Sequence, residues 1–370
     1  MEAISLAGNS LGKEFAVTLF GESHGKCVGV VVDGCPAGLE FSEIDVQPEL
    51  DRRIPRRPGI TSTRIEEDKA EILSGTFQGR TTGAPITMIV QNKDIDPEPY
   101  EHLKDIPRPG HADYPARIRY GGFNDYTGGG CFSGRMTAAL VMAGAVAKKL
   151  LASIGIEILA YAVSIGDVSS KRDPAREELR RAVYTTSVRC GDPEAAPLME
   201  KAILEAAEAG DSLGGIVRAI AYDVPPGIGE PLFDSLDSEL AKALFNIPAV
   251  KGVEFGSGFD AARSRGSLNN DPLVVKEGKI QFETNRAGGV LGGLSTGREI
   301  VLQVAFKPTP SIRRKQRSVN VMSMEETELE LTGRHDPCVV PKAVPAVEAV
   351  VSIVLADFMI RSGKIPKILE

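Results

Sequence analysis

Residues 117–147 read RIRYGGFNDYTGGGCFSGRMTAALVMAGAVA, a glycine-rich segment followed by an almost wholly apolar one. From 138 to 147 the residues are apolar on every side of a helix, which predicts a buried helix. The triple glycine before it, with Ser133 and Arg135, predicts a loop that lets an anion approach bare backbone N–H groups at a helix start. The alternative is a tight turn with Ser133 as an ordinary N-cap. We expect the start of this helix to face an interior cleft.

The composition is that of a soluble globular protein, with 42% hydrophobic and 25% charged residues among 370. A net charge of -7 argues against general binding to nucleic acid or to an anionic membrane. The five cysteines show no Cys-x-x-Cys pair, so neither a disulfide framework nor a zinc site is predicted. No signal peptide and no charge-free apolar stretch of about 18 residues is evident. These features predict a cytoplasmic protein without metal.

Two of the four histidines lie in glycine-containing turns. His24 stands in GESHG between predicted strands at 14–20 and 28–32, and His111 stands in RPGHAD. A histidine in such a turn is poorly placed to fill a core, so the two predict acid and base groups, with surface histidines as the alternative. Asp336, in GRHDPC, is a candidate base, although a capping or salt-bridging aspartate is the commoner case.

Basic residues are concentrated in two short segments. Residues 51–64 contain five arginines among turn-forming residues, and 313–317 contains four basic residues. Each segment is open to interpretation as a solvated or nucleic-acid-binding patch, but the acidic total charge favours a site for a small anionic molecule. The glycine-rich run at 285–293 permits either close approach of a ligand or a tight bend.

Periodicity predicts the remaining elements. Further strands are expected at 84–91, 156–163 (where a helix is the alternative), 214–224 and 300–306, with helices after Ser42 and at 174–183, 193–209 and 235–245. The last helix has apolar residues at i, i+3 and i+4, with Pro345 suited to its start and Gly363 to its stop. No linker long enough to divide the chain is present.

Nine motifs together resemble the chorismate synthase family, in colinear order over nearly the whole chain. They are GESHG (21–25), DRRIPRRPG (51–59), ILSGTFQGRTTGAPI (72–86), RPGHADY (108–114), GGG-x-x-S-x-R (128–135), AVKGVEFG-x-GF (249–259), AGG-x-LGG (287–293), KPTPSI (307–312) and GRHDPC (333–338). The resemblance implies an α/β sandwich of long central helices between antiparallel β-sheets, one domain over 1–370, and a homotetramer.

The resemblance also implies an activity. Members convert 5-enolpyruvylshikimate 3-phosphate to chorismate by anti 1,4-elimination of phosphate, the last common step of the shikimate pathway to aromatic amino acids. Reduced FMN is required without net oxidation: it donates electron density as phosphate departs and then accepts the hydrogen at N5. Whether NADPH reduces the flavin on this chain, or an external flavin reductase is the partner, stays open.

Residue roles follow only from the matched motifs. His24 matches the histidine that protonates the leaving phosphate, His111 the one near flavin N1 and the C2 carbonyl, Asp336 the base at flavin N5, and Ser23 a relay. The arginines that the resemblance places against substrate are Arg53, one of Arg56 or Arg57, Arg135 and Arg334. The implied flavin contacts are Cys131, Phe132, Ser133, Pro248, Ala249, Gly292, Lys307, Pro308, Thr309, Pro310, Ser311 and Arg334.

One departure from the family pattern stands out. Where many members have Arg-Ser-Ser after the triple glycine, this chain has Cys131-Phe132-Ser133, so one arginine and one hydroxyl are lost. Two other functions are compatible with the same residues: a flavin-dependent lyase for a different phosphorylated ring, and a nucleic-acid binder that uses the arginines of 52–57 and 313–317.

Overall fold

The computed structural model describes residues 8–54, 57, 59–60, 68–93, 95–96, 98–331 and 335–369. The strands in these ranges are β1 (Ser10–Leu11), β2 (Ala16–Gly21), β3 (Cys27–Asp33), β4 (Ala70–Ser74), β5 (Thr76–Phe77), β6 (Arg80–Thr81), β7 (Ile86–Gln91), β8 (Glu157–Ile165), β9 (Val168–Ser169), β10 (Gly215–Tyr222), β11 (Val250–Phe255), β12 (Leu273–Lys276), β13 (Lys279–Phe282), β14 (Val290–Leu291), β15 (Leu294–Ser295), β16 (Ile300–Phe306), β17 (Gln316–Asn320) and β18 (Glu325–Leu329).

The α-helices are α1 (Glu43–Asp51), α2 (Asp113–Arg119), α3 (Thr137–Ala152), α4 (Arg176–Ala182), α5 (Ala195–Glu208), α6 (Leu236–Leu244), α7 (Gly266–Asn269) and α8 (Val340–Arg361). Short 3₁₀ segments occur at Glu98–Lys104, Thr127–Phe132, Gly134–Met136, Val183–Thr185, Leu232–Asp234 and Gly258–Arg263.

Two antiparallel sheets form the outer layers. The first has the strand order β1-β2-β3-β7-β4 and the second the order β11-β16-β10-β8-β9. In β16 the burial alternates along the strand, so Ile300, Leu302, Val304 and Phe306 point into the core while the residues between them are partly exposed. This period of two is what a sheet with one covered face requires.

Helices α3 and α8 lie between the sheets. α3 packs on β2, β3 and β7 of the first sheet, α8 packs on β8 and β10 of the second, and the two helices pack on each other. At their crossing a Cβ on Gly144 would lie 2.6 Å from the Cα of Ala349, so only glycine permits this approach. The α/β sandwich with central helices between antiparallel sheets is thereby confirmed.

By length and composition α8 is apolar enough to cross a membrane, but its apolar window is entirely buried. The charge of Glu348 within it is satisfied inside the protein, by the Lys148 Nζ of α3 at 2.7 Å and by the Ala160 backbone N–H of β8 at 2.9 Å. A buried carboxylate with two donors ties the central helices to the second sheet. α8 is therefore a core helix.

Most predicted elements are confirmed to within a few residues, including the strand at 156–163, which is β8. The predicted start of the last helix at Pro345 is wrong: α8 begins at Val340, with Pro341 in its first turn and Pro345 inside it. Proline near a helix start loses at most one intrahelical hydrogen bond, so the helix extends past it. β11 and the hairpins β12–β13 and β17–β18 lie in stretches for which no strand is predicted.

Candidate active site

The triple glycine does not open the central helix directly. Gly128, Gly129 and Gly130 have φ values of 59°, 87° and 52°, and a further 3₁₀ turn at Gly134–Met136 follows before α3 begins. Three successive left-handed residues redirect the chain, so α3 cannot start until after them. The Ser133 hydroxyl accepts the Arg135 N–H at 3.2 Å, so Ser133 is an N-cap of that 3₁₀ turn. The glycines therefore do not form the start of α3, where the sequence predicts an anion cradle.

The glycine loop lies between the two predicted histidines. A Cβ on Gly128 would overlap Nδ1 of His24 and lie 2.9 Å from the Ser23 hydroxyl, whereas a Cβ on Gly129 would lie 3.2 Å from Nε2 of His111. Consecutive Cα atoms are only about 3.8 Å apart, so both imidazoles lie against one short piece of backbone. The structure therefore brings Ser23, His24 and His111 together, as the sequence predicts.

The His24 turn is held by an asparagine that sequence reasoning missed. Asn92 follows β7, the neighbour of β3, and its side-chain amide donates to the backbone carbonyls of Glu22 and Gly25 at 2.9 and 2.8 Å. The His24 ring meets the Tyr100 ring edge-on, with the ring centroids 5.0 Å apart. The strand order of the first sheet thus places Asn92 beside the turn and fixes its shape.

A second group of polar side chains holds His111. Asp113 Oδ1 lies 2.5 Å from His111 Nδ1, and Arg108 donates from Nε to Asp113 Oδ2 at 2.7 Å and from Nη1 to the Ser311 hydroxyl at 3.1 Å. Burial opposes ionisation of Asp113, but the hydrogen bonds from Arg108 and His111 outweigh it and hold the pKa of this carboxyl well below its usual range. A carboxylate this close needs a hydrogen on Nδ1, which leaves Nε2 as the ring nitrogen facing the glycine loop.

Replacing Asp113 with Asn is expected to lower kcat by about 10²-fold, within the usual contribution of acid–base catalysis. The imidazole loses the carboxylate that holds its Nδ1 hydrogen and fixes its tautomer. Steady-state kinetics measure the effect. Asp105→Asn, at an exposed aspartate that pairs with Arg117, is the control. An unchanged kcat in Asp113→Asn would remove Asp113 from this role.

The predicted flavin-binding segment at 307–311 joins the His111 turn to Asp336. Lys307 donates through its backbone N–H to the Ala249 carbonyl at 2.9 Å and through Nζ to the Gly110 carbonyl at 3.0 Å. Ala249 has φ +75°, a left-handed conformation that is rare for alanine and typical of functional sites. Burial and the nearby Lys251 lower the pKa of Lys307. Sequence motifs far apart in the chain are therefore adjacent here.

Asp336 is held through both its carboxylate and its backbone. Its Oδ1 accepts from Lys342 Nζ at 2.7 Å, and its carbonyl accepts from the Thr309 hydroxyl at 2.9 Å. The neighbouring His335 is a residue that the sequence does not single out. Burial and the nearby Arg108 lower the pKa of His335, so this imidazole is neutral at neutral pH.

Two of the predicted substrate arginines share one carboxylate. Arg53 Nη1 donates to Asp68 Oδ2 at 2.6 Å, Arg135 donates to Asp68 Oδ1, and the side chains of all three residues are buried. Arg53 also donates to the Thr137 hydroxyl at 3.1 Å, at the first residue of α3. The paired guanidiniums lie at the N-terminal end of α3, the central helix that follows the glycine loop.

The other predicted site residues have different positions. Arg57 pairs with Glu200 of α5 at 2.5 Å. Gly292 has φ +61°, and within the described part of the chain a Cβ there would meet nothing within 4 Å, so the space beside this predicted flavin contact is open. Arg56 and Arg334 lie outside the described residues, and the structure does not test them.

Cys131 and Phe132, the departure from the family pattern, are on the exposed side of the glycine loop. The Phe132 ring lies 6.5 Å from that of Tyr120, measured between centroids. Burial by its surroundings raises the pKa of the Cys131 thiol, so it is protonated at neutral pH. This position therefore offers a neutral side chain where the family pattern leads us to expect an arginine.

The basic run at 313–317 is largely neutralised by neighbouring acids. Arg314 pairs with Asp211 at 3.0 Å, Lys315 with Glu328 at 3.3 Å and Arg317 with Glu326 at 3.3 Å. Ion pairs of this kind favour an exposed structural hairpin over a nucleic-acid patch.

Two histidines and a serine lie against one glycine loop, and two buried arginines lie at the start of the helix that follows it. Such an arrangement has the groups that an enzyme of the acid–base class needs to bind an anion and to transfer protons. The family model for chorismate synthase matches residues 15–360. The chain therefore belongs to the chorismate synthase family and is a lyase that forms chorismate.

Individual relatives agree over almost their full length. The chain is 51% identical to a chorismate synthase of Dehalococcoides mccartyi over 98% of this chain and 99% of the relative, and 52% identical to one of Korarchaeum cryptofilum over 96% and 99%. A solved structure described as a crystal structure of chorismate synthase matches with a TM-score of 0.76 and 32% identity, covering 95% of this chain and 93% of that one.

Proposed function

We propose that this chain eliminates phosphate from 5-enolpyruvylshikimate 3-phosphate in an anti 1,4 sense, with reduced FMN as cofactor. The observation that carries the proposal is the placement of His24 and His111 on consecutive glycines of one loop. Family membership supplies the product, and the buried arginines around Asp68 fit a substrate with a phosphate and carboxylates.

The described residues fit a flavin phosphate. The donors available on the segment at 307–311 are the ammonium group of Lys307 and the hydroxyl of Ser311, which accepts from Arg108 at 3.1 Å and keeps its own hydrogen to donate. Phosphate is recognised by this kind of donor set. When bound, reduced FMN supplies electron density as phosphate leaves and takes up the ring hydrogen. We assign flavin binding to the segment from Lys307 to Ser311, together with Pro248 and Ala249. By their match to the family, we assign the same role to Cys131, Phe132, Ser133, Gly292 and Arg334.

Each polar group then has a task at a stated atom. Arg53 and Arg135 bind the anionic groups of the substrate, together with Arg334. By the family match, either Arg56 or Arg57 also binds the substrate. We choose Arg56, because Arg57 already pairs with Glu200. His24 gives a proton to the departing phosphate, and Ser23, by the family match a relay for Asp336, lies against the same glycine. His111 donates its Nδ1 hydrogen to the Asp113 carboxylate, and its Nε2 faces the cleft. The Asp336 carboxylate, held by Lys342, accepts a proton.

Truncating Arg53 to Ala is expected to raise KM for the substrate by at least about tenfold while changing kcat less, because a hydrogen bond to a charged group contributes about 1.5–3 kcal/mol of binding. Initial rates at saturating reduced FMN measure the split. Arg314→Ala, which breaks an exposed ion pair with Asp211, is the matched control. If KM stays at the wild-type value, the substrate role of this loop passes to Arg56.

We also propose that the chain is one domain over 1–370, that it forms a homotetramer and that its location is cytoplasmic. The proposal further concerns the supply of reduced flavin, either by this chain with NADPH or by a partner reductase. One continuous core that includes both sheets and both central helices supports the single domain. Light scattering on the purified protein tests the tetramer. Anaerobic turnover with NADPH and FMN alone tests flavin reduction, and a requirement for an added reductase would assign that step to a partner.

A further inference from the structure

Two buried polar residues outside the proposed catalytic set connect its parts. Asp68 is only 4% exposed and precedes β4, and Asn92 is 8% exposed and follows β7. β4 and β7 are neighbours in the first sheet, which brings both residues to one side of the glycine loop. Their contacts run through Arg135, since Arg135 donates to Asp68 Oδ1 and, from Nε, to Asn92 Oδ1 at 3.0 Å.

Asp68 sets the geometry of the arginine pair. Its two carboxylate oxygens accept from different guanidiniums, Oδ2 from Arg53 and Oδ1 from Arg135. Each guanidinium makes one bond to Asp68 and a second bond elsewhere, Arg53 to the Thr137 hydroxyl and Arg135 to the Asn92 amide oxygen, so Asp68 sets the separation of the arginines and the second bonds orient them. The anion-binding groups are therefore arranged before any substrate arrives.

Asn92 uses both ends of its amide. The amide nitrogen donates to the carbonyls of Glu22 and Gly25 on either side of His24, and the amide oxygen accepts from Arg135. The Asn92 backbone N–H adds a bond to the Lys26 carbonyl at 3.1 Å. A movement of Arg135 is thus transmitted to the turn that carries His24.

We infer that Asp68 and Asn92 are positioning residues that join the substrate arginines to the His24 turn as one hydrogen-bonded unit. The inference rests on the proposed function, in which Arg53 and Arg135 bind the substrate and His24 protonates the leaving phosphate. Asp68 acts on binding and Asn92 on the placement of the proton donor. The same anion contacts that bind the substrate then also hold the acid in place.

The two residues are expected to affect different kinetic constants. Asp68→Asn keeps the shape and removes the charge that orders the arginines, so KM for 5-enolpyruvylshikimate 3-phosphate rises by about 10- to 100-fold with a smaller fall in kcat. Asn92→Leu keeps the size and releases the His24 turn, so kcat falls by about 10- to 100-fold with a smaller change in KM. Because both act through Arg135, the double variant loses less kcat/KM than the product of the single effects.

Matched controls separate positioning from stability. Asp357→Asn removes a buried aspartate that accepts the backbone N–H groups of Lys13, Glu14 and Phe15 far from the glycine loop, and Asn285→Leu removes an amide that donates to the Glu299 carbonyl. These variants are expected to lower the unfolding temperature and to keep wild-type KM and kcat. If Asn92→Leu does not fold, Asn92→Ser is used for the same test. If Asp68→Asn does not fold, Asp68→Glu is used in its place.

The outcomes are distinct. Wild-type chorismate formation with KM raised in Asp68→Asn and kcat lowered in Asn92→Leu supports the inference. An active wild type whose variants keep both constants, or lose only stability as the controls do, overturns it and leaves the proposed function standing. A wild type that forms no chorismate with reduced FMN overturns both.

Discussion

Gly128→Ala is expected to lower kcat by at least about 10²-fold, because a misplacement of about 1 Å at a catalytic group has an effect of this size. The new methyl group overlaps Nδ1 of His24 and approaches the Ser23 hydroxyl, so the imidazole must leave its position against the loop. The φ of 59° adds a backbone cost of about 1–2 kcal/mol for any residue with a Cβ. Steady-state kinetics with reduced FMN and thermal unfolding measure the two effects separately.

Gly155→Ala is the matched control for backbone strain. Gly155 follows α3 with φ +81°, and a Cβ there meets nothing within 4 Å in the described part of the chain. This variant bears the same conformational cost, so its unfolding temperature falls while kcat is retained. A Gly128→Ala protein that turns over at the wild-type rate would show that catalysis does not depend on where His24 lies.

Asp336→Asn is the second large effect, an expected fall in kcat of about 10²–10⁴-fold, the range that a general base contributes. The amide keeps the shape of the side chain, and the Thr309 hydroxyl still bonds to the backbone carbonyl, so the turn stays folded. An amide does not accept the proton that the carboxylate accepts. Since Asp336 is not among the proposed substrate ligands, KM changes little.

Asp211→Asn is the control for Asp336→Asn. Both variants remove a carboxylate that pairs with a basic side chain, which is Lys342 for Asp336 and Arg314 for Asp211. Its kinetics are expected to match the wild type. Rapid-mixing measurements of a single turnover place the loss in the chemical steps. If Asp336→Asn retains the wild-type single-turnover rate, another group accepts the proton.

The sequence predicts the elements whose signal is local. Long apolar or alternating runs such as those of α3 and β16 are visible without any tertiary information. β11 is missed because Gly252 interrupts its pattern and the pairing with β16 shifts register there. The pairing of strands into two sheets around α3 and α8 depends on contacts between distant segments, and only the family resemblance supplies it.

The same division applies to the site. His24 and His111 are visible because glycine turns expose them, and Asp113 has a weak signal, two residues after His111 in the same turn. Asp68 and Asn92 have none, because their partners lie 67 and 43 residues away in Arg135. A polar residue in a short loop looks alike in sequence whether it is solvated or holds an arginine in a cleft.

The structure explains the triple glycine differently from the sequence motif. The motif suggests backbone N–H groups that cradle an anion at a helix start, yet α3 begins only at Thr137. In the structure Gly128 and Gly129 are required because two imidazoles lie against them. Close packing between side chain and backbone, together with positive φ, accounts for the glycines without a bound ligand.

The proposed reaction is tested by an anaerobic assay of the wild-type protein with 5-enolpyruvylshikimate 3-phosphate and chemically reduced FMN, with oxidised FMN and flavin-free samples in parallel. We expect equal amounts of chorismate and phosphate, many turnovers per flavin, and product only where the flavin is reduced. Chorismate formed equally well without flavin, or none formed with reduced FMN, would contradict the proposed reaction.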